Sequence, residues 1–124
     1  MVVDTGVFID HLRAKEKFST LLYRISDNVP LYISAVTLYE LHMGATSPVR
    51  LHDVITITEN LEVLPFNGQI AVKASQIYHS LRRSNQMIEF GDIFIAATCI
   101  VNNLPIVTLN KKHFERIENL NIIE

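Results

Sequence analysis

The sequence predicts an α/β fold in which helices cover both faces of a parallel β-sheet. Short stretches rich in Val and Ile alternate along the chain with longer segments whose apolar residues repeat at helical spacing. The chain has 124 residues, 48% of them apolar, which is enough to bury the core of one domain. We therefore expect a three-layer α/β/α architecture in one domain, 1–124.

The first third of the chain predicts one strand and two helices. Met1–Val3 is long enough only for the start of a strand, and a helix follows over Val7–Leu12. Apolar side chains from Phe18 to Ile25 repeat at helical spacing and predict a second helix. The pair Asp27-Asn28 is expected to end it.

The middle third repeats the alternation of strand and helix. Leu31–Ile33 predicts a second strand, and Ser34 is a good N-cap for the helix that Gly44 closes. Pro48 suits the first position of another helix, whose apolar stripe runs to Leu61. Glu62–Phe66 then predicts a third strand.

The last third contains the clearest helix and two further strands. Gly91 is expected to end the segment before it, and a buried helix is predicted to begin at Asp92. Asn102 and Asn103 are expected to end that helix. The remaining predicted elements are a helix over Ile70–Leu81, strands over Ile106–Leu109 and Asn121–Ile123, and one helical turn over Phe114–Ile117.

Acidic and polar residues occupy comparable places in these strand–helix units. Asp4 caps the first helix and Asp92 begins a later one, while Thr108 and Asn110 lie at the end of the fourth strand. Glu40 lies within a segment that is apolar on nearly every face, where a carboxylate is costly unless it is paired, protonated or bound to a cation. Ligands of open α/β sheets bind at the carboxyl ends of strands, so we expect one shared site.

The chemistry of such a site favours a divalent cation. Neighbouring carboxylates repel, and one of them keeps its proton unless a cation neutralises the group. An all-oxygen set suits Mg²⁺ or Mn²⁺, which can activate water and stabilise charge on a phosphodiester. This interpretation makes Asp4, Glu40 and Asp92 ligands, directly or through water, while Thr108 and Asn110 orient waters or the phosphate.

Composition excludes several other classes. No apolar run approaches the roughly 20 residues of a membrane span, and no export signal is seen, so we expect a cytoplasmic protein. The single cysteine, Cys99, is expected to be a small core residue. The formal net charge is −2, so RNA contacts must come from local basic patches, for which the candidates are Arg13, Lys15 and Lys17, Arg82 and Arg83, and Lys111 and Lys112.

Four blocks, VVDTGVFIDHL, SAVTLYEL, GDIFIAAT and IVTLNKKHF, together resemble the PIN-domain nucleases, particularly the VapC-type toxins of prokaryotic toxin–antitoxin pairs. The resemblance covers essentially the whole chain. It implies a five-stranded parallel sheet of order 3-2-1-4-5 and cleavage of structured RNA by a metal-dependent endoribonuclease. It also implies a homodimer and a cognate antitoxin protein laid over a groove, for which Ile9, Leu12 and Tyr39 are candidate groove residues.

The chain departs from the family pattern in two places. Gly6 stands where family members usually carry a polar residue, and Asn110 and His113 stand where they often have a fourth acid. His113 is a candidate metal ligand suited to Mn²⁺ or a candidate proton shuttle, and a surface or helix-capping role is the alternative. Thr5 is expected to support Asp4 and hold it in position.

Alternative interpretations make different demands on the sequence. The triplet Asp4-Thr5-Gly6 also occurs in aspartic proteases, but those are mostly β proteins, and this chain is dominated by helical periodicity. A haloacid-type phosphatase requires an acid where Gly6 stands, and the histidines lack zinc-site spacing. The remaining alternative is a degenerate PIN domain that binds RNA or a partner protein without cleavage.

Overall fold

The computed structural model describes residues 1–25 and 29–123, so Asp27 and Asn28 lie outside the described residues. Four strands alternate with seven α-helices and one 3₁₀ turn, Lys17–Ser19, over this part of the chain. The strands are β1 (Val2–Val3), β2 (Tyr32–Ser34), β3 (Glu62–Leu64) and β4 (Ile106–Val107). The helices are α1 (Thr5–Arg13), α2 (Leu21–Ile25), α3 (Ala35–Gly44), α4 (Pro48–Thr58), α5 (Gly68–Arg83), α6 (Phe90–Val101) and α7 (Lys111–Phe114).

The sheet is parallel throughout, with strand order β3-β2-β1-β4. Val2 pairs with Ile106 and Val3 with Val107, which places β1 and β4 side by side. The predicted fold class is therefore confirmed. The strand order changes direction at β1, since β2 and β3 follow on one side of it and β4 lies on the other.

The prediction of a fifth strand over Asn121–Ile123 is wrong. Within the described residues it is one isolated parallel bridge between Ile106 and Ile122. Ile106 donates to the Asn121 carbonyl and accepts from Ile123 N, both at 2.9 Å. Because β4 is itself only two residues long, the pairing at this edge extends no further.

The two faces of the sheet bury different halves of the core. Successive side chains of a strand point to opposite faces. Val2 and Ile106 accordingly pack into the cluster formed with α5 and α6, whereas Val3 and Val107 pack into the cluster formed with α1, α3 and α4. This alternation in β1 and β4 produces the predicted helix–sheet–helix layers.

Side-chain caps begin four of the helices, and the sequence predicts two of these caps, Asp4 and Ser34. Asp4, Ser34, Ser47 and Asn67 each accept a backbone N–H at the start of the next helix. These bonds satisfy donors that the first helical turn leaves without a partner.

Three predicted elements differ from the structure. The helix predicted from Phe18 to Ile25 is split at Thr20 into the 3₁₀ turn and α2, because Thr20 has an extended backbone. The last helical turn is Lys111–Phe114, one turn earlier than expected. Helix α6 begins at Phe90, so Gly91 is a helical residue and not a break before the helix. Asp92 accordingly lies within the first helical turn.

Within residues 1–25 and 29–123, none of the helices combines the length and the apolar character needed to cross a membrane.

Candidate functional site

The carboxyl edge of the sheet, between β1 and β4, carries the candidate site. Asp4 directly follows β1 and Thr108 directly follows β4. Helix α3 carries Glu40, and the first turn of α6 carries Asp92. The structure therefore brings together one acid from each of three strand–helix units and a hydroxyl from a fourth.

Asp4 is buried, with 5% of its surface exposed, and both of its oxygens accept hydrogen bonds. The Thr5 backbone N–H donates to Oδ1 at 2.9 Å, and the Thr108 hydroxyl donates to Oδ2 at 2.7 Å. The pKa of Asp4 is raised to about 6, mainly by burial and to a lesser extent by the charges of Asp92 and Glu40, while the hydrogen bonds from Thr108 and Thr5 act in the opposite direction. Asp4 therefore interacts electrostatically with both Asp92 and Glu40.

Glu40 is oriented by a series of hydroxyl groups. Its Oε1 accepts from the Thr5 hydroxyl at 2.8 Å, and that hydroxyl lies 2.9 Å from the Thr37 hydroxyl. The Ser34 hydroxyl donates in turn to the Thr37 hydroxyl at 3.1 Å, and both of these residues are fully buried. Thr5 therefore supports Asp4 through its backbone and Glu40 through its side chain, whereas the sequence predicted support of Asp4 alone.

A second series of contacts connects Thr108 to Asp92. The Asn110 backbone N–H donates to the Thr108 hydroxyl at 2.9 Å, and Asn110 Nδ2 lies 2.7 Å from His113 Nδ1. The same ring nitrogen lies 3.4 Å from Asp92 Oδ2. One nitrogen cannot accept from Asn110 and donate to Asp92 at once, so the two contacts compete. Thr108, Asn110 and His113 thus lie in succession between Asp4 and Asp92, and His113 bonds to either Asn110 or Asp92 at one time.

Asp92 is less buried than Asp4, with 23% of its side chain exposed. Burial raises the pKa of Asp92, the contact with His113 lowers it, and the charge of Glu89 raises it. His113 is 37% exposed, at the open side of the site. The imidazole therefore favours the ionised form of Asp92 without covering it.

The donor atoms of this site are those that a hard divalent cation prefers. Carboxylate, hydroxyl and amide oxygens predominate, and His113 supplies the one nitrogen. Among the described residues no three His, Cys, Asp or Glu side chains form a ready group of ligands. A cation that keeps several of its own waters fits this set, because it needs few direct contacts with protein.

Cys99 contributes no chemistry to the site. It is fully buried in the core, and burial raises the pKa of its thiol to about 12. A thiol that stays protonated is a poor nucleophile.

Ser34 and Thr37 are site residues that the sequence interpretation missed as a pair. They precede Glu40 at intervals of three residues, which places the three side chains near one another on one side of a helix. The three-residue spacing, combined with the role of Ser34 as N-cap, is the signal that would have identified Ser34 and Thr37 as neighbours of Glu40.

The basic candidates separate into different roles. Lys17 Nζ donates to the carbonyls of His11 and Leu12 at 2.6 and 2.8 Å, so it caps the end of α1. Arg83 lines a recess of about 220 Å³ together with Lys73 and Arg116. The other candidates are Arg13, Lys15, Arg82, Lys111 and Lys112, and all of them except the half-buried Lys111 are exposed.

A groove of about 360 Å³ lies between α1, α3 and α4, beside the acids. Ile9 and Leu12 line it as predicted, and Glu40 forms part of its wall. Arg13, Arg50 and Asp53 add charged groups to the same groove. Tyr39, the third predicted groove residue, is 64% exposed on α3.

Comparison with known proteins identifies one family. Residues 1–120 match the model of the PIN domain. Ribonuclease VapC10 of Mycobacterium tuberculosis is 34% identical over 120 residues, covering 97% of this chain and 90% of that protein. The tRNA(fMet)-specific endonuclease VapC of Salmonella typhimurium is 33% identical, covering 98% and 94% of the two chains. The solved structure of VapBC-1 from nontypeable Haemophilus influenzae superimposes with a TM-score of 0.84 at 27% identity, over 99% and 96% of the two chains.

Proposed function

Since the chain belongs to the PIN-domain family, we propose that it is a divalent-metal-dependent endoribonuclease and the toxin of a toxin–antitoxin pair. The observation that carries the proposal is the meeting of Asp4, Glu40 and Asp92 at one edge of the sheet. Thr5 donates hydrogen bonds to both Asp4 and Glu40, and the charges of Glu40 and Asp92 both act on Asp4. Two VapC relatives, one named a ribonuclease and the other a tRNA(fMet)-specific endonuclease, support the same activity.

The reaction is hydrolysis of an RNA phosphodiester, in which water attacks phosphorus and one ester P–O bond breaks. Asp4, Glu40 and Asp92 would hold Mg²⁺ or Mn²⁺, directly or through water. When bound, the cation supplies positive charge for the phosphate oxygens and promotes ionisation of water. Asn110 is exposed beside the buried Thr108, so its side chain can contact the phosphate while Thr108 keeps Asp4 in place.

His113 acts at the open side of the site. Its contact with Asp92 lowers the pKa of that carboxyl and so favours the ionised form that binds a cation. In this proposal the imidazole occupies the place of the fourth family acid and adds a nitrogen ligand suited to Mn²⁺.

The substrate is structured RNA, which the name of the Salmonella relative supports. Because the chain is slightly acidic overall, RNA binding depends on local cations. Lys112 adjoins the site at the start of α7, and the recess of Lys73, Arg83 and Arg116 offers a second group of phosphate contacts.

The protein partners follow from the family. A cognate antitoxin lies in the groove of Ile9 and Leu12, where it would cover Glu40 from one side. We further propose that residues 1–124 form one cytoplasmic domain that assembles as a homodimer.

Cleavage of a total structured-RNA preparation tests the proposal. The wild type is assayed with Mg²⁺, Mn²⁺ or EDTA beside Asp92→Asn, with Asp10→Asn as a matched control for an exposed carboxylate of α1. We expect cutting that needs a divalent cation, disappears in Asp92→Asn and persists in Asp10→Asn. Cutting that continues in EDTA or in Asp92→Asn would refute the mechanism.

A binding module without cleavage is the second candidate, and the replacement of a fourth acid by Asn110 and His113 favours it. In that case the wild type cuts no RNA with any metal, but it still binds RNA or an antitoxin. The same assay, combined with a binding measurement, separates the two.

A further inference from the structure

We infer that Gly91 is a positioning residue for Glu40: the missing side chain at position 91 lets the Glu40 carboxylate reach its place in the site. The inference rests on the proposed function, because it assigns a role toward the same reaction. Gly91 is the second residue of α6 and directly precedes Asp92.

The distances at Gly91 are short. A Cβ atom placed on this residue would lie 2.8 Å from Oε2 of Glu40, 3.6 Å from its Cδ and 3.8 Å from its Oε1. A carbon and an oxygen that are not bonded do not approach to 2.8 Å without repulsion, since comfortable carbon contacts lie at about 3.5–4.0 Å. Any residue other than glycine would therefore displace the Glu40 carboxylate.

The backbone does not require glycine at this position. Gly91 lies inside an α-helix, and no glycine in the described ranges has a positive φ. Glycine is also unfavourable within a helix compared with alanine. The close approach of Glu40 is thus the feature of the structure that calls for glycine here.

The position of Glu40 thus depends on one hydrogen bond and on free space beside the other oxygen. The Thr5 hydroxyl fixes Oε1, and the bare backbone of Gly91 accommodates Oε2. The atoms nearest to position 91 belong to the free end of a flexible side chain, so an added methyl group would move the carboxylate and leave the helices in place. A substitution here should alter the site and spare the fold.

Two other glycines provide a comparison. Gly44 and Gly68 have no atom within 4 Å of an added Cβ. Gly68 begins α5 and lies outside the proposed site, so Gly68→Ala is a matched control for the same chemical change.

The test combines stability, kinetics and metal binding for the full chain. We expect Gly91→Ala to unfold at the wild-type temperature or above it, while kcat for RNA cleavage falls about 10- to 100-fold, as for a catalytic group displaced by about 1 Å. We also expect Mn²⁺ affinity to fall about ten-fold, as for loss of a supporting contact. Gly68→Ala should match the wild type in kcat and Mn²⁺ affinity.

A double mutant distinguishes positioning from a general disturbance. Glu40→Asp shortens the side chain by one methylene and can withdraw the carboxylate from the added methyl group. We expect Glu40→Asp to impair the wild type but to impair Gly91→Ala much less, so that the two effects are not multiplicative.

The outcomes separate the inference from the proposed function. Three results would each overturn the inference. The first is a wild type that cuts RNA together with an unimpaired Gly91→Ala. The others are a lowered unfolding temperature in Gly91→Ala and multiplicative effects in the double mutant. If the wild type neither cuts RNA nor binds Mn²⁺, the proposed function fails. A crystal structure of Gly91→Ala would then still support the inference through a displaced Glu40 carboxylate, or overturn it through an unmoved one.

Discussion

Thr108 donates a hydrogen bond of 2.7 Å to Asp4, a residue 104 positions away in the chain. The two are neighbours because β1 and β4 pair in parallel and each residue follows the end of its strand. Both are almost fully buried, so the hydroxyl is a large part of the polar surroundings of that carboxylate. The ionisation of Asp4 therefore depends on a residue from the far end of the chain.

Replacing Thr108 with Val should shift the acid limb of the pH–rate profile upward. The hydroxyl lowers the pKa of Asp4, so its loss raises that pKa further above the value of about 6. Asn110 N also loses its acceptor, and stability should fall by about 1–3 kcal/mol. Initial rates and thermal unfolding across pH measure both effects. Thr108→Ser retains the hydroxyl and should resemble the wild type; an unshifted profile in Thr108→Val would contradict the role.

The metal-free protein should lose stability as the pH rises from about 4 to about 6. The pKa of Asp4 is raised from 3.8 to about 6 by folding, so the folded state holds a proton that the unfolded state has released. Across this window the loss amounts to about 3 kcal/mol at most. Urea unfolding in EDTA as a function of pH measures it.

Asp4→Asn provides the control for this pH dependence. Without the carboxyl group the loss between pH 4 and 6 should shrink, so the variant should be more stable than the wild type at pH 8 in EDTA. Mn²⁺ should stabilise the wild type and have little effect on Asp4→Asn. A wild type and a variant with the same dependence of stability on pH would show that Asp4 has an ordinary pKa in the folded state, and a steeper rise in the wild type would show a lowered one.

Replacing Thr5 with Val should weaken metal binding with little change of fold. The change removes the hydroxyl that donates to Glu40 and also leaves the Thr37 hydroxyl without that neighbour. Loss of a residue that orients a ligand typically costs about 10- to 100-fold in metal affinity or activity. Calorimetric titration with Mn²⁺ measures the change, and Thr5→Ser is the control. Equal affinities in Val and Ser variants would mean that Glu40 does not need this hydrogen bond.

The fold was predictable because the relevant signals are local. Val2 and Val3 are followed at once by a capping residue, and the same strand–cap–helix order recurs at Ser34. Hydrophobic spacing identifies the long helices α5 and α6 for the same reason. The last strand was overpredicted because a short apolar run near Ile122 does not reveal how many residues will pair.

The supporting contacts of the site were not predictable from local patterns. The sequence places acids at strand ends, but it does not show that Thr5 bonds Glu40, 35 residues away. Nor does it show that Gly91 faces the same carboxylate, since glycine in a sequence more often indicates a turn. Such contacts depend on how α3 and α6 pack, which is a property of the tertiary structure.

Replacing Leu12 with Lys should impair antitoxin binding and leave RNA cleavage intact. Leu12 is a partly buried apolar residue of the groove between α1, α3 and α4, and a buried ammonium group there is costly for a bound partner. Growth of cells that co-express the cognate antitoxin measures neutralisation. Val72→Lys, on the exposed part of α5, is the control. Full neutralisation of the Leu12 variant would place the antitoxin elsewhere.

Replacing His113 with Asp should lower the Mg²⁺ concentration needed for half-maximal cleavage, by about ten-fold. A carboxylate beside Asp92 adds an oxygen ligand and a negative charge, and affinity for hard cations grows with the charge of the ligand set. Asn103→Asp adds the same carboxylate on an exposed side chain just after the far end of α6, and should have little effect.

His113→Ala completes this comparison. It removes the contact that lowers the pKa of Asp92, so that pKa rises and the acid limb of the pH–rate profile should shift upward. If the imidazole is also a ligand, the preference for Mn²⁺ over Mg²⁺ should decrease in the same variant. A profile and a metal preference that both stay at wild-type values would reduce His113 to a surface residue, and the three acids would then hold the cation without it.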